Sequence, residues 1–225
     1  KLFLDGMRER GIGGAISELV DSVKDMKVLL GGDTIIDEYT YVSPLGKSPK
    51  ENLVASLYDS TELFAGGVIA AANHVADFCR EVEILTCLGS KNDYESLIRS
   101  SLRDNVKLNA IHRADVPTVK KTRFVDRDYT RKLFELYHMD DSGPDDTVEA
   151  DMLDYIQNTV ADFDVVIITD FGHGMITPGV QSALIANARF LAVNAQSNSA
   201  NHGFNLITKY PSADYICIDS PEDRL

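Results

Sequence analysis

The chain has 225 residues, 44% of them hydrophobic and 25% charged, with 35 acidic against 22 basic side chains and a net charge of −13. That composition fits a globular protein able to bury a substantial core, and its charge is of the wrong sign for tracking nucleic acid or an anionic membrane surface. No apolar run approaches the roughly 20 residues of a membrane-spanning helix, and three scattered cysteines (Cys79, Cys87, Cys217) form neither a disulfide framework nor a zinc pattern. With no signal segment at the start, these features predict a reduced, cytoplasmic protein without nucleic-acid or membrane partners.

Residues 1–26 read as a leader: an apolar piece, a joint at Gly11, Gly13 and Gly14, and one amphipathic helix with Ile16, Leu19, Val20 and Val23 at helical spacing. The glycines follow no strand, so they read as a hinge rather than a phosphate loop. The main pattern begins at Lys27 with the strand-like run KVLLGGD. Strand-like runs at 35–42 and 52–58 flank a loop that carries Lys47 and Lys50. Gly66-Gly67 then opens an alanine-rich helix to about Arg80. Strand 82–88, helix 94–104 and strand 106–112 follow. Runs 118–125 and 132–138 alternate around Asp126-Arg127-Asp128, which is hairpin chemistry. An acidic break (140–146) leads to a helix over about 147–161, strand 164–169, helix 178–188 and strand 190–194. An irregular Asn/Ser stretch precedes strand 215–218.

Strands that alternate with helices and are almost wholly apolar predict an α/β protein with a parallel sheet covered on both faces. The runs at 35–58 and 118–138 break that alternation and predict antiparallel excursions forming a small second sheet. Ligands of open α/β sheets sit beyond the carboxyl ends of the strands. The polar residues there are Asp33 and Asp37, Asp170, Asn194 to Asn198, and Asp219.

Four segments, in order, resemble the ribokinase-like (PfkB) carbohydrate kinases: LLGGDTIIDEY (29–39), FAGGVIAAANHVA (64–76), DVVIITDFGHGMIT (164–177) and CIDSPE (217–222). Their spacing also resembles the heptose 7-phosphate kinase domain of ADP-heptose synthesis enzymes, and TVKKTRFVDRD (118–128) is similar to that group's substrate-binding hairpin. The resemblance implies a three-layer fold with a mostly parallel central sheet and a small β lid sheet over residues 27–225. It also implies a sugar or sugar phosphate as substrate, with ATP and Mg²⁺ as cofactors. Residues 1–26 would then be a linker, or the tail of a preceding nucleotidyltransferase domain.

By resemblance Asp37 is the sugar-binding carboxylate, with Asp33 beside it. Gly66 and Gly67 let backbone approach a ligand without a Cβ clash, though a tight turn accounts for them equally well. Alternation places Lys121 and Arg123 on one strand face, a clamp for a substrate phosphate. A solvated edge strand kept from aggregating by its lysines accounts for them equally well. Asp219 and Glu222 match the family's Asn-x-x-Glu, which organises Mg²⁺, though a helix N-cap with an acidic first turn is equally good chemistry. Asn194 stands on the nucleotide side.

The chain departs from the family at several points. His173 stands where a lysine is usual, Asn194-Ala195-Gln196 replaces Asp-Pro-Lys, and Asn73 falls later than the usual Asn after Gly-Gly. The family's Gly-Ala-Gly-Asp turn, whose Asp is the catalytic base, does not occur. Residues 27–225 therefore read as the N-terminal portion of a sugar kinase domain, inactive alone, with Asp170 as the one candidate for a substitute base, a role its match to a structural or substrate-proximal family position speaks against. The competing reading is a non-catalytic sugar-binding or dimerisation module of the same ancestry, and a homodimer through the lid strands is expected in either case. His74, His112, His138 and His202 show no metal spacing and read as structural or surface residues.

Overall fold

Leu29 is fully buried on one side of a strand, and its neighbours Val28 and Leu30 are buried on the other. This alternation organises two cores. A computed structural model describes residues 2–140, 142–199 and 201–225. Lys1 of the leader, Asp141 of the acidic break and Ala200 of the Asn/Ser stretch lie outside the described residues.

Six strands form a parallel sheet: β1 (Lys27–Gly32), β4 (Glu81–Lys91), β5 (Val106–Pro117), β8 (Val165–Asp170), β9 (Leu191–Ala195) and β10 (Tyr215–Ile216), in the order β10-β9-β8-β1-β4-β5. On one face, Leu29, Val166, Ile168 and Val193 pack against Val148, Met152 and Ile156 of α5 (Asp146–Thr159) and Val180 and Leu184 of α6 (Pro178–Asn187). On the other, Val28, Leu30, Val82 and Ile84 pack against Val68, Ile69 and Ala72 of α3 (Val68–Ala76) and Ile98 of α4 (Glu95–Ser101). Each fully buried aliphatic side chain contributes about 1.5–3 kcal/mol. The expected three layers and mostly parallel sheet are present.

Caps set the helix starts. The Asp145 carboxylate accepts the N–H groups of Thr147 (3.0 Å) and Val148 (2.9 Å) ahead of α5, and Thr177 Oγ1 accepts the Val180 N–H (3.1 Å) ahead of α6.

The excursions join into one four-stranded sheet, β3-β2-β6-β7. Its strands are β2 (Thr34–Lys47), β3 (Val54–Gly67), β6 (Lys120–Asp126) and β7 (Arg131–His138). The two antiparallel hairpins, β2–β3 and β6–β7, are stitched together by a parallel β2–β6 pairing. The hairpin β2–β3 is longer than the sequence pattern predicts. Strand β3 runs nine residues past Tyr58, to Gly67, and its side chains are mostly exposed, so no apolar alternation marks it. The leader also differs from expectation. It is two helices, α1 (Leu2–Glu9) and α2 (Ile12–Ser22), separated at Gly11, whose φ of 65° breaks the helical path.

Candidate functional site

The parallel sheet changes its direction of winding at β1, with β4 and β5 on one side and β8, β9 and β10 on the other. Crevices at such points, at the carboxyl ends of the strands, are where open α/β sheets bind ligands. Two buried aspartates stand there, Asp33 just past β1 and Asp170 at the end of β8.

Asp33 Oδ2 accepts the backbone N–H groups of Phe171 (3.1 Å) and His173 (3.3 Å). Burial and then the neighbouring Asp170 charge push its carboxyl up to about 6, while the loop N–H groups pull the other way. Its carboxylate is therefore turned into the 171–173 loop. With Thr34, Arg113, Thr118 and the buried His173 it lines a cavity of about 20 Å³, room for about one water.

The Asp170 carboxylate is more fully occupied. Oδ1 accepts the Gly172 N–H (3.0 Å) and the Asn205 amide (3.1 Å), and Oδ2 accepts the Tyr210 hydroxyl (2.6 Å) and pairs with Lys209. Its four acceptor sites are taken. In this arrangement Asp170 anchors the Asp-Phe-Gly-His-Gly turn and offers no lone pair to a substrate hydroxyl.

The second half of the site is one face of the small sheet. The registers Asp37↔Lys121↔Tyr137 and Tyr39↔Arg123↔Glu135 bring six side chains to that face. Arg123 pairs with Asp37, donates through Nε to Glu135 Oε1 (3.0 Å), and lies 5.4 Å from the centre of the Tyr39 ring. Lys121 is only 6% exposed, with Nζ 5.3 Å from the centre of the Tyr137 ring, and among the described residues its ammonium forms no salt bridge or hydrogen bond. Burial and then the Arg123 charge lower its pKa, opposed by the carboxylates of Asp37, Glu135 and Asp33. The Tyr137 hydroxyl donates to Glu135 Oε2 (2.9 Å) and also bonds the Ser199 side chain, which joins the small sheet to the irregular stretch.

Glycine is required where these halves meet. A Cβ on Gly66 would stand 2.1 Å from Asp37 Oδ2. At Gly67, with φ of 62°, it would stand 2.3 Å from the Asp33 carbonyl oxygen, which accepts the first N–H of α3, that of Val68, at 3.0 Å. Asp33, Asp37, Gly66, Gly67 and Arg123 therefore lie along one linked set of contacts, with Lys121 opposite Asp37 in the β2–β6 register.

The other named residues sit apart from that set. Lys47 and Lys50 are at the far end of the β2–β3 hairpin, ten or more residues along the chain from Asp37. Asn73 joins α3 to α4 by bonding the Ser101 carbonyl (2.8 Å) and the Arg103 N–H (3.0 Å). Asn194 donates to the Cys217 carbonyl (2.7 Å). Asp219 and Glu222 cap each other's backbone N–H (2.9 and 3.0 Å), and Glu222 Oε1 also accepts the Ser197 N–H at 2.9 Å. Three of that pair's four carboxylate oxygens are thus engaged, so the two residues fit a helix cap and do not by themselves fit a Mg²⁺ ligand set.

Sequence reasoning missed Asn205, Lys209 and Tyr210, which lie in a stretch without periodicity. It also missed Glu135 and Tyr137, which the alternation of β7 opposite Lys121 and Arg123 does signal.

No family model matches the chain. Among curated proteins it is 26% identical over 176 residues to the bifunctional protein HldE of Pelobacter propionicus, covering 78% of this chain and 36% of that protein. The chain thus spans about a third of the length of the curated relatives it matches. Among solved structures, the ribokinase of Giardia lamblia superposes with a TM-score of 0.55 at 11% identity, over 88% of this chain and 59% of that one. Ribokinase of Arabidopsis thaliana, complexed with ribose and ATP, gives a TM-score of 0.51 at 14% identity, over 77% of this chain and 55% of that one. No helix among the described residues is long and apolar enough to cross a membrane. The chain is a homologue of the HldE proteins and has a ribokinase-like fold.

Proposed function

We propose that this chain is the sugar-binding portion of a carbohydrate kinase whose substrate already carries a phosphate, a heptose 7-phosphate or a close analogue. The observation that carries this reading is Lys121, a mostly buried side chain whose ammonium forms no salt bridge among the described residues, one strand over from a carboxylate that guanidinium pairing holds in place. Partial burial lowers the Lys121 pKa against the pull of nearby carboxylates, and a phosphate over the Tyr137 side of the small sheet would pair directly with the ammonium. Asp37 then accepts sugar hydroxyls, Arg123 fixes its orientation, and Gly66 and Gly67 leave room for the ring. Asp33, through the N–H groups of the 171–173 loop, shapes the floor.

ATP with Mg²⁺ is the donor this reading requires, and when bound it supplies the transferred phosphoryl group. Asn194 of β9 is assigned to the nucleotide side on the family resemblance. The bifunctional name of the HldE relatives supports a second domain, a nucleotidyltransferase, joined to this portion in the whole protein. The free cysteines suit a reducing, cytoplasmic setting.

The opposite face of the small sheet favours a homodimer. Phe124 stacks on Phe134 at 4.3 Å, and Phe134 (57%), Leu136 (47%) and Leu63 (40%) are exposed on that face. Large exposed apolar patches mark association surfaces. Light scattering on wild type and Phe134→Lys tests this: a dimer converted to monomer is expected, and a monomeric wild type contradicts it.

The occupancy of Asp170 also keeps alive the second reading, a sugar-binding module without turnover. Thermal shifts with a panel of hexose and heptose phosphates, each beside its unphosphorylated sugar, test what both readings share. Stabilisation by phosphorylated members above their parents is expected, and no response to any member overturns the sugar site.

A further inference from the structure

A second cluster lies away from the lid, where β4 gives way to α4. The chain turns through Asn92 (φ 60°) and Tyr94 (φ 56°), which places Asp93 and Glu95 beside His112 of the edge strand β5. One ligand atom from each of the three lies within 4.8 Å of the others. Sequence spacing gives no hint of this group, because β4–β5 pairing, with Leu88 opposite His112, creates the proximity. We infer that Asp93, Glu95 and His112 form a binding site for one divalent metal ion of the zinc class.

Three features fit a bound metal. First, His112 Nε2 and Glu95 Oε2 are 3.3 Å apart. Tetrahedral zinc with bonds of about 2.0–2.2 Å holds neighbouring ligand atoms about 3.3–3.6 Å apart. Second, each carboxylate is oriented by a bond to one of its oxygens from within the protein. Asp93 Oδ1 accepts the Glu95 N–H at 2.9 Å, and Glu95 Oε1 accepts Arg99 Nε at 2.7 Å. Such outer contacts are how ligating carboxylates are oriented. Third, an imidazole with two carboxylates matches zinc and its transition-metal neighbours, whereas Mg²⁺ and Ca²⁺ favour oxygen-only sets.

Three protein ligands leave at least one coordination position to solvent, on the exposed His112 side. The ion would tie the start of α4 to the sheet edge. Thr118 extends that tie toward the candidate sugar site: its hydroxyl donates to the Asp93 carbonyl (3.2 Å), and it lines the cavity beside Asp33.

Calorimetric titration of the whole 225-residue chain with zinc chloride, in buffer containing excess Mg²⁺, tests the site. One zinc per chain is expected, with affinity lowered roughly tenfold or more in His112→Ala and in Asp93→Asn. Circular dichroism checks that both variants are folded, and Cys217→Ser controls for thiol capture. Absence of saturable binding overturns the proposal. So does binding that His112→Ala leaves intact, or binding that Cys217→Ser abolishes.

Discussion

Arg123 and Asp37 form an ion pair across the parallel β2–β6 register, and Glu135 holds the same guanidinium from the other side. Asp37 is thus held in a fixed orientation. If it accepts sugar hydroxyls, Asp37→Asn removes a charge-assisted acceptor worth about 1.5–3 kcal/mol. Sugar binding should weaken roughly ten- to a hundredfold, and calorimetry on the folded variant measures it. Unchanged affinity removes Asp37 from the site.

The adjacent glycines should respond differently to alanine. The Gly66→Ala methyl meets the end of the Asp37 side chain, which can rotate away at the expense of its Arg123 pairing. That variant should fold and lose sugar affinity. The Gly67→Ala methyl meets the Asp33 backbone carbonyl at a left-handed φ, so it should cost on the order of 2–3 kcal/mol of stability. Urea unfolding of both variants separates the two cases.

Asp170 should matter for folding. Asp170→Ala strips partners from Tyr210, Asn205 and Lys209 at once. Removing one member of a buried charge network costs on the order of 3–5 kcal/mol. A large drop in the urea midpoint is expected. A variant as stable as wild type would show that these partners are not needed to hold the turn.

Much of this architecture is legible in the residues. The runs KVLL, EVEILTCL and DVVIIT are apolar because both sheet faces are covered, and each ends in polar residues at the carboxyl edge. The lid hairpin is legible at Lys121 and Arg123 because β6 alternates. Residues 59–65 of β3 escape detection because an edge strand exposed along most of its length carries Asp, Ser, Thr and Glu as readily as a loop does. Asn205, Lys209 and Tyr210 escape for another reason. Their positions are set by a tertiary contact to Asp170, 35 to 40 residues upstream, and by no local period.

Asp33 gives a pH signature. Its carboxyl is raised from 3.8 to about 6 in the fold, so the native state holds a proton that the unfolded chain has lost between those values. Its contribution to stability is therefore fullest below pH 4 and declines as pH rises to about 6, a difference on the order of 3 kcal/mol. The stability of Asp33→Asn relative to wild type should rise across that window. A difference that stays flat from pH 4 to 7 would contradict the buried, proton-holding Asp33.

Lys121 decides the central claim. Calorimetric titration of wild type and Lys121→Met with a sugar phosphate and with its unphosphorylated parent isolates the role of the ammonium. Wild type should prefer the phosphorylated ligand. Lys121→Met should lose that preference, by roughly tenfold or more for a charge-assisted contact, while binding the parent sugar unchanged. A variant that keeps the preference for the phosphorylated ligand would contradict the assignment of Lys121 as the phosphate-binding group.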